Sequence, residues 1–255
     1  MEELLSFEKR RVFIMKKLFK KALIGMMVLS LSAAALAKEN IYVGTNAEFP
    51  PFEYLDKGEI VGFDIELMQE IGKVLDADIK IQDMAFDGLL PALQMKKVDV
   101  VIAGMTATEE RKKTVAFTQP YYTASQVIIV KEGNDTIKSF DDLKGKKVGV
   151  MLGFTGDTVV SEIEGVKVER FNAAYAGIMA LNADKVEAVV LDSEPAKNYV
   201  KQNQGLKIAE ADAAQEEYAI ALRKNDKELL EKIEKALAEV KANGTYDKLL
   251  EKYFN

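Results

Sequence analysis

The order of the apolar segments constrains this chain most strongly. From residue 40 onward, short runs rich in β-branched residues alternate with helical patterns. Such alternation is typical of α/β proteins with largely parallel sheets. Two apolar runs depart from it, ASQVIIVK at Ala124–Lys131 and EYAIAL at Glu217–Leu222. They bracket a central block with its own strands and helices, so we predict a second lobe inserted through two hinge strands rather than one continuous sheet.

Hydrophobic periodicity predicts the individual elements. The clearest helix is Phe63–Leu75, whose apolar side chains recur on one face. The other predicted helices are Gly88–Lys96, Thr155–Ile163, Tyr175–Asn182, Ala196–Gln202, Asp226 (as the cap) to Lys241, and Tyr246–Tyr253. The predicted strands are Ile41–Thr45, Ile79–Met84, Val98–Ala103, Lys147–Met151, Val166–Phe171 and Glu187–Leu191. The first lobe would comprise residues 38–126 plus 220–255 and the second residues 127–219, with a ligand cleft between them.

The composition excludes several classes of chemistry. The 255 residues contain no cysteine and no histidine. Disulfides, thiolate nucleophiles, Cys-based metal sites and a Ser-His-Asp triad are therefore impossible. We find no cofactor or metal motif, and GVMLGFTGD (Gly149–Asp157) lacks the lysine that a nucleotide-binding P-loop requires. Carboxylates, lysines, arginines, hydroxyls and backbone groups remain, which favours binding over turnover.

Residues 1–37 have the pattern of a secretory signal peptide. A basic stretch, Lys16–Lys21, precedes an apolar run from Ala22 to Leu36 that is shorter than the roughly 20 residues needed to span a bilayer. Ala35 and Ala37 are small residues that suit cleavage after Ala37, and no cysteine follows, which argues against a lipoprotein anchor. Met15 opens a compact signal by itself and is an alternative start. We therefore predict export to the periplasm.

Removing the predicted signal leaves an acidic chain. The 218 remaining residues contain 28 lysines and arginines against 38 aspartates and glutamates, a net charge of −10. A protein of this charge is a poor partner for nucleic acid or anionic membrane surfaces. We expect no nucleic-acid partner, and we expect a monomer.

Six separated motifs, in order, resemble the family-3 extracellular solute-binding proteins, the amino-acid receptors of ABC importers. Together they extend over essentially all of residues 40–254. The motifs are VGTNAEFPPFEY (Val43–Tyr54), GFDIEL (Gly62–Leu67), DGLLPAL (Asp87–Leu93), DVVIAGMTATEERKK (Asp99–Lys113), FTQPYY (Phe117–Tyr122) and NGTYDKLLEKYF (Asn243–Phe254). The resemblance implies a type II periplasmic-binding-protein fold, which is α/β and two-lobed, and a partner ABC permease in the inner membrane.

The resemblance also assigns the groups that bind the amino-acid head group. Arg111 falls on the arginine that grips the ligand carboxylate, although spacing alone favours a solvated charge. Thr155 follows the glycine-rich loop at the start of a predicted helix, and in the family this position donates backbone N–H to that carboxylate. Asp192 is the counter-charge for the ammonium, and by position it is also a candidate helix N-cap. Gly104 and Thr106 supply polar contacts, although Gly104 could equally mark a tight turn.

The side-chain pocket corresponds to Asn46, Phe49 and Phe86. Two aromatic rings can enclose a flat or extended polar side chain, although either ring could instead belong to the core. Relatives that bind basic amino acids often carry aspartate where this chain has Asn46, and some carry a polar residue where it has Met151. Both differences favour a glutamine-like ligand, whereas Glu48 could restore a carboxylate.

The predicted function is therefore the capture of a polar L-amino acid, of the glutamine, arginine, lysine and histidine class, and its delivery to an ABC permease. The main alternative is an enzyme on the same scaffold, because cyclohexadienyl dehydratases resemble this family and need only a placed carboxyl acid. Asp192 or Glu48 could fill that role. A sensor ectodomain is a third alternative, disfavoured because no second membrane segment or signalling domain is found in the sequence.

Overall fold

The computed structural model describes residues 38–209 and 215–254. The predicted signal peptide lies outside these residues. Numbered along the chain, the strands are β1 (Glu39–Thr45), β2 (Glu48–Phe49), β3 (Glu53–Asp56), β4 (Glu59–Val61), β5 (Ala77–Asp83), β6 (Val100–Val101), β7 (Val115–Phe117), β8 (Tyr122–Lys131), β9 (Lys147–Met151), β10 (Lys167–Phe171), β11 (Ala188–Asp192), β12 (Leu206–Ile208), β13 (Gln215–Tyr218) and β14 (Ala221–Arg223).

The helices follow the strands in the predicted alternation. They are α1 (Phe63–Leu75), α2 (Phe86–Gln94), α3 (Glu109–Lys112), α4 (Thr155–Ser161), α5 (Ala174–Asn182), α6 (Ser193–Gln202), α7 (Lys227–Ala242) and α8 (Thr245–Phe254), with a short 3₁₀ helix at Phe140–Leu143. No helix in the described ranges is long and apolar enough to cross a membrane.

Most predicted elements are confirmed, two of them to the residue. The bounds of α1 and β9 match the prediction, and β6 is shorter than expected. Asp226 occupies the N-cap position of α7, but its side chain makes no capping bond and instead accepts from Arg223 Nη2 at 3.0 Å. Glu217–Leu222 was predicted as one strand, which is wrong, because the chain forms β13 and β14 there with a break at Ala219–Ile220.

Two mixed sheets form the framework. The first has the strand order β5-β1-β6-β14-β7, with β1 parallel to β6 and β14 antiparallel to β6 and β7. The second has the order β10-β9-β11-β8-β12, with β9, β10 and β11 parallel and β8 antiparallel to β11 and β12. A small antiparallel sheet, β2-β3-β4, adjoins α1 in the sequence. The parallel strands agree with the βα alternation of the sequence.

Two extended segments connect the sheets. The chain leaves the first sheet after β7, runs through β8 into the second sheet, and returns through β13 to β14. β13 pairs antiparallel with the first half of β8, with Tyr218 opposite Tyr122 and Gln215 opposite Ser125. An isolated antiparallel bridge also joins Tyr218 of β13 to Thr106. These are the two segments that the sequence singles out as hinge strands.

Each sheet has a buried apolar core. On the first sheet, α1, α2 and α7 contribute Leu67, Leu93 and Leu237, all at most 2% exposed. A second cluster covers one face of the second sheet, whose other face contributes Ile129, Val189 and Leu191 to the first cluster. Its strand residues are Ile128, Val130, Val148, Val150, Ala188 and Val190. From residue 40 onward the chain is one compact unit, so the predicted boundaries of two lobes stay a prediction.

Candidate functional site

Arg111 lies in α3, just after the carboxyl end of β6. Its Nη1 donates to the carbonyl of Thr106 at 2.8 Å and its Nη2 to the carbonyl of Gly153 at 2.9 Å. The guanidinium carbon lies 5.2 Å from the centre of the Phe86 ring, a cation–π geometry. Thr106 precedes α3, whereas Gly153 follows β9 of the second sheet, so this side chain links elements of both sheets.

The alternative of a solvated surface charge does not hold for Arg111. Glu109 pairs with Lys112 at 2.8 Å, and Glu110 pairs with Lys113 at 2.5 Å. The neighbouring carboxylates are therefore taken up by the neighbouring lysines. Arg111 itself is half-buried, and burial lowers its pKa while the charges of nearby carboxylates oppose that shift.

Asp192 ends β11 and is 2% exposed. Its Oδ1 accepts from Gln126 Nε2 at 2.6 Å, and its Oδ2 accepts a short hydrogen bond from the Tyr218 hydroxyl. Burial, followed by the charge of Glu216, raises the pKa of Asp192 to about 7. Asp192 does stand at the N-cap position of α6, but its side chain makes no capping bond. The carboxylate is therefore directed toward the hinge strands and not toward its own helix.

Glu216, on β13, connects two of the predicted site residues. Its Oε2 accepts from Thr106 Oγ1 at 2.8 Å and from Thr155 Oγ1 at 2.7 Å. Gln126 Nε2 lies 3.3 Å from the same oxygen and 3.1 Å from Thr155 Oγ1. One carboxylate and one amide thus join a residue that follows β6 to the first residue of α4.

Three phenylalanine rings form an apolar wall beside the guanidinium. Phe86 and Phe154 are stacked, with ring centres 3.7 Å apart and planes inclined by 28°. Phe49 lies 5.0 Å from Phe154, centre to centre. All three rings are at most 6% exposed. The wall combines residues of β2, α2 and the loop before α4, and it suits a flat side chain.

The backbone conformation of Gly104 is held by the residues packed and hydrogen-bonded around it. Its φ is +52°, a left-handed conformation, and an added Cβ would lie 2.6 Å from Phe49 Cε1. Its N–H donates to Asp64 Oδ2 at 2.9 Å, and that oxygen also accepts from the Tyr121 hydroxyl at 2.6 Å. Gly104 therefore brings backbone against the aromatic wall, where a side chain would not fit.

Asn46 is 4% exposed, and its side chain makes no hydrogen bond to Thr106, Arg111 or Asp192 within the described residues. Its Nδ2 donates to the carbonyl of Met84 at 3.1 Å. Its Oδ1 has no hydrogen-bond partner among the residues that the structure describes. Nearby, Glu48 is half-buried, and its pKa is raised by burial and by the charge of Asp83.

The structure thus brings Thr106, Arg111, Thr155 and Asp192 into one hydrogen-bonded neighbourhood, with Phe86 against the guanidinium. Phe49 and Gly104 border it, and within the described ranges no side-chain hydrogen bond joins Asn46 to it. Sequence reasoning missed Gln126 and Glu216, which lie on the hinge strands. A signal was present for Gln126, which is an amide within an apolar strand and is 3% exposed.

Comparison with known proteins identifies the class. Residues 41–255 match the model of the bacterial extracellular solute-binding proteins, family 3. The chain is 40% identical over 231 residues to the arginine-binding extracellular protein ArtP of Bacillus subtilis (strain 168), covering 88% of this chain and 90% of the relative. The chain therefore belongs to the bacterial extracellular solute-binding proteins, family 3.

Solved structures support the same fold. An ancestral arginine-binding protein bound to arginine is 51% identical, with a TM-score of 0.83, covering 86% of this chain and 99% of that one. An ancestral arginine-binding protein bound to glutamine is 52% identical, with a TM-score of 0.82 and the same coverage. An ancestral amino-acid-binding protein described as a precursor of cyclohexadienyl dehydratase is 40% identical, with a TM-score of 0.80, covering 85% and 96%. The predicted α/β type II fold is confirmed.

Proposed function

We propose that this protein binds a polar L-amino acid, arginine in the first place, and delivers it to an ABC permease. The observation that carries the proposal is the meeting of a guanidinium and a buried carboxylate in one neighbourhood. Arg111 can grip a carboxylate bidentately, and Asp192 can accept from an ammonium. A zwitterionic head group needs both charges in a single site.

The remaining contacts divide between head group and side chain. Thr106, Gly104 and Thr155 would bind the polar atoms of the head group. Phe49 and Phe86 would enclose the ligand side chain, with Asn46 near its far end. A micromolar Kd corresponds to a net binding free energy of about 8 kcal/mol. Charge-assisted hydrogen bonds contribute roughly 1.5–3 kcal/mol each, so four or five of them together with a desolvated side chain are sufficient.

Arginine is placed first because of the relatives and the aromatic wall. The B. subtilis relative and the ancestral protein are both named for arginine. A guanidinium stacks well against aromatic faces such as the Phe86–Phe154 pair. Glutamine comes second, since the ancestral protein was also solved with it and since Asn46 and Met151 carry no charge.

We further propose that export and closure follow the pattern predicted from the sequence. The signal peptide would be cleaved after Ala37 and release a periplasmic monomer that is not a lipoprotein. The lobes, residues 38–126 plus 220–255 and residues 127–219, would close on the ligand through β8 and β13. A ligand that binds both lobes stabilises the closed state by a hinge-type population shift.

The test is a thermal shift screen of the twenty amino acids on protein freed of carried-over ligand. L-Arginine at about a hundred times its Kd should raise the Tm by roughly 5 °C or more. Arg111→Ala should abolish this shift, because the carboxylate loses its cation. Lys112→Ala, an exposed neighbour paired with Glu109, is the matched control and should keep it. A normal response of Arg111→Ala would refute the assignment of that residue.

One observation keeps a dehydratase as the second candidate. Asp192 has a pKa raised to about 7, so it is partly protonated at neutral pH and could act as a general acid. One structural neighbour is described as a precursor of such an enzyme. Turnover of prephenate or arogenate by the purified protein, lost in Asp192→Asn, would make the enzyme the better assignment.

A further inference from the structure

Glu216 has a position that the head-group assignments do not explain. It is a half-buried carboxylate on β13, and its Oε2 accepts from the hydroxyls of Thr106 and Thr155 and from the amide of Gln126. All three donors are neutral. Glu216 is therefore held in place by three neutral donors, with no cation hydrogen-bonded to it within the described residues.

We propose that Glu216 is a specificity-determining residue: its fixed negative charge makes the site select an amino acid of net positive charge over a neutral amino acid of the same shape. This inference rests on the proposed function and deepens it. It concerns the class of side chain that is accepted, and not the head group, which all amino acids share.

The balance of charges in the neighbourhood supports the proposal. Among the described residues, Arg111 is the one cation in this hydrogen-bonded neighbourhood. Its charge interacts with those of Asp192 and Glu216. A ligand ammonium beside Asp192 favours the ionised form of that carboxyl group. In the ligand-bound site two carboxylates therefore face one guanidinium. Glu53 is a further buried carboxyl group near Asp192. It adds little negative charge to the site, because burial raises its pKa well above the ordinary value and favours its neutral form.

A bound ligand changes this balance according to its own charge. A neutral zwitterion adds one positive and one negative group and leaves the excess of negative charge in the site unchanged. Arginine or lysine adds one further positive charge and neutralises the excess, whereas aspartate or glutamate would enlarge it. In a site screened from water such charges interact over several ångströms. Asp192 and Glu216 lie close together, because Gln126 Nε2 is 2.6 Å from Asp192 Oδ1 and 3.3 Å from Glu216 Oε2.

The test compares L-arginine with L-citrulline, which has nearly the same shape but carries a neutral urea group. Isothermal titration of the exported chain, freed of ligand, gives both Kd values. The wild type should prefer arginine. In Glu216→Gln the ratio of the citrulline Kd to the arginine Kd should fall about tenfold, equivalent to about 1.4 kcal/mol. Glu216→Asp retains the charge and should retain the ratio, even where both affinities weaken.

Glu217→Gln is the matched control. Glu217 adjoins Glu216 on the same strand, is exposed and points to the opposite face, so the same change of net charge should leave the ratio unaltered. If Glu216→Gln does not fold, Glu216→Ala provides a second neutral variant with the same expected fall.

The outcomes separate this inference from the proposed function. Equal weakening of arginine and citrulline in the neutral variants would reduce Glu216 to a residue that positions the two threonine hydroxyls. A fall of the ratio in Glu216→Asp would also contradict a role for charge. Failure of the wild type to bind either ligand would instead refute the proposed preference for arginine and, with it, the selectivity assigned to Glu216.

Discussion

Gly104 has a backbone conformation and a location that together exclude a side chain. Its φ of +52° is strained for other residues, and Phe49 occupies the space where a Cβ would project. We expect Gly104→Ala to lower the free energy of unfolding by about 1–3 kcal/mol. It should also weaken ligand binding, because Phe49 belongs to the aromatic wall.

Urea unfolding with and without L-arginine measures both effects. Gly88→Ala is the control, since Gly88 lies in α2 with open space around its Cβ position. That change should stabilise the helix by up to about 1 kcal/mol. Equal free energies of unfolding for Gly104→Ala and the wild type would show that Phe49 moves aside without cost.

The residues of the candidate site differ in how far the sequence could predict them. Arg111 was assigned by the family resemblance, since spacing alone favours a solvated charge. Asp192 also follows a buried strand, and the carboxyl ends of strands face ligand clefts. Gln126 and Glu216 depend on which strands pair across the hinge. That pairing joins residues 90 positions apart, and no local pattern in the sequence encodes it.

At the scale of elements, one buried amide, the side chain of Gln126, links β8 to β11. Gln126 lies opposite Asp192 in the pairing of β8 with β11 and donates to its carboxylate at 2.6 Å. Gln126→Leu keeps the approximate volume but removes the donor. We expect the free energy of unfolding at pH 7.5 to fall by about 1–3 kcal/mol, because a buried acceptor loses one of its donors.

The decrease in the free energy of unfolding caused by Gln126→Leu should be smaller at pH 5.5, where Asp192, with a pKa of about 7, is largely protonated. Chemical unfolding at both pH values measures this difference. Ser125→Ala, the adjacent change on the same strand, should have little effect at either pH. A loss independent of pH would mean that packing rather than the carboxylate causes it.

The elements themselves were predicted best where one periodicity persists. α1 and β9 matched to the residue because each has a single continuous pattern. The segment Glu217–Leu222 is uniformly extended, yet it changes partner, since Tyr218 pairs with Tyr122 while Ala221 pairs with Phe117 and Val101. The break at Ala219–Ile220 follows from the choice of neighbours, which composition does not reveal.

For the whole molecule, buried carboxyls determine how stability varies with pH. Asp64 is fully buried, and burial raises its pKa from 3.8 to about 6. Between these values the folded protein holds the proton more tightly than the unfolded chain. Stability therefore falls as the pH rises through this window, by about 3 kcal/mol for this group alone. Glu53 and Asp192, whose pKa values are also raised, act in the same direction.

We therefore expect a higher Tm at pH 5 than at pH 7.5 in ligand-free protein. Carboxylates with a lowered pKa, such as Glu187, lose their contribution only at more acidic pH. Asp64→Asn keeps an acceptor for Gly104 and Tyr121 and should reduce the difference by raising the Tm at pH 7.5. Asp56→Asn, an exposed control, should not. A Tm that rises from pH 5 to pH 7.5 would contradict this account.

The pairing of β8 with β13 has a consequence for how such a chain can diversify. Since Ser125 lies opposite Gln215, the intervening segment starts and ends about 5 Å apart. Two recombination breakpoints are then enough to exchange that segment between homologous genes without reconnecting any other part of the polypeptide. The exchanged piece would bring its own Thr155 and Asp192, whereas Arg111 would stay with the recipient.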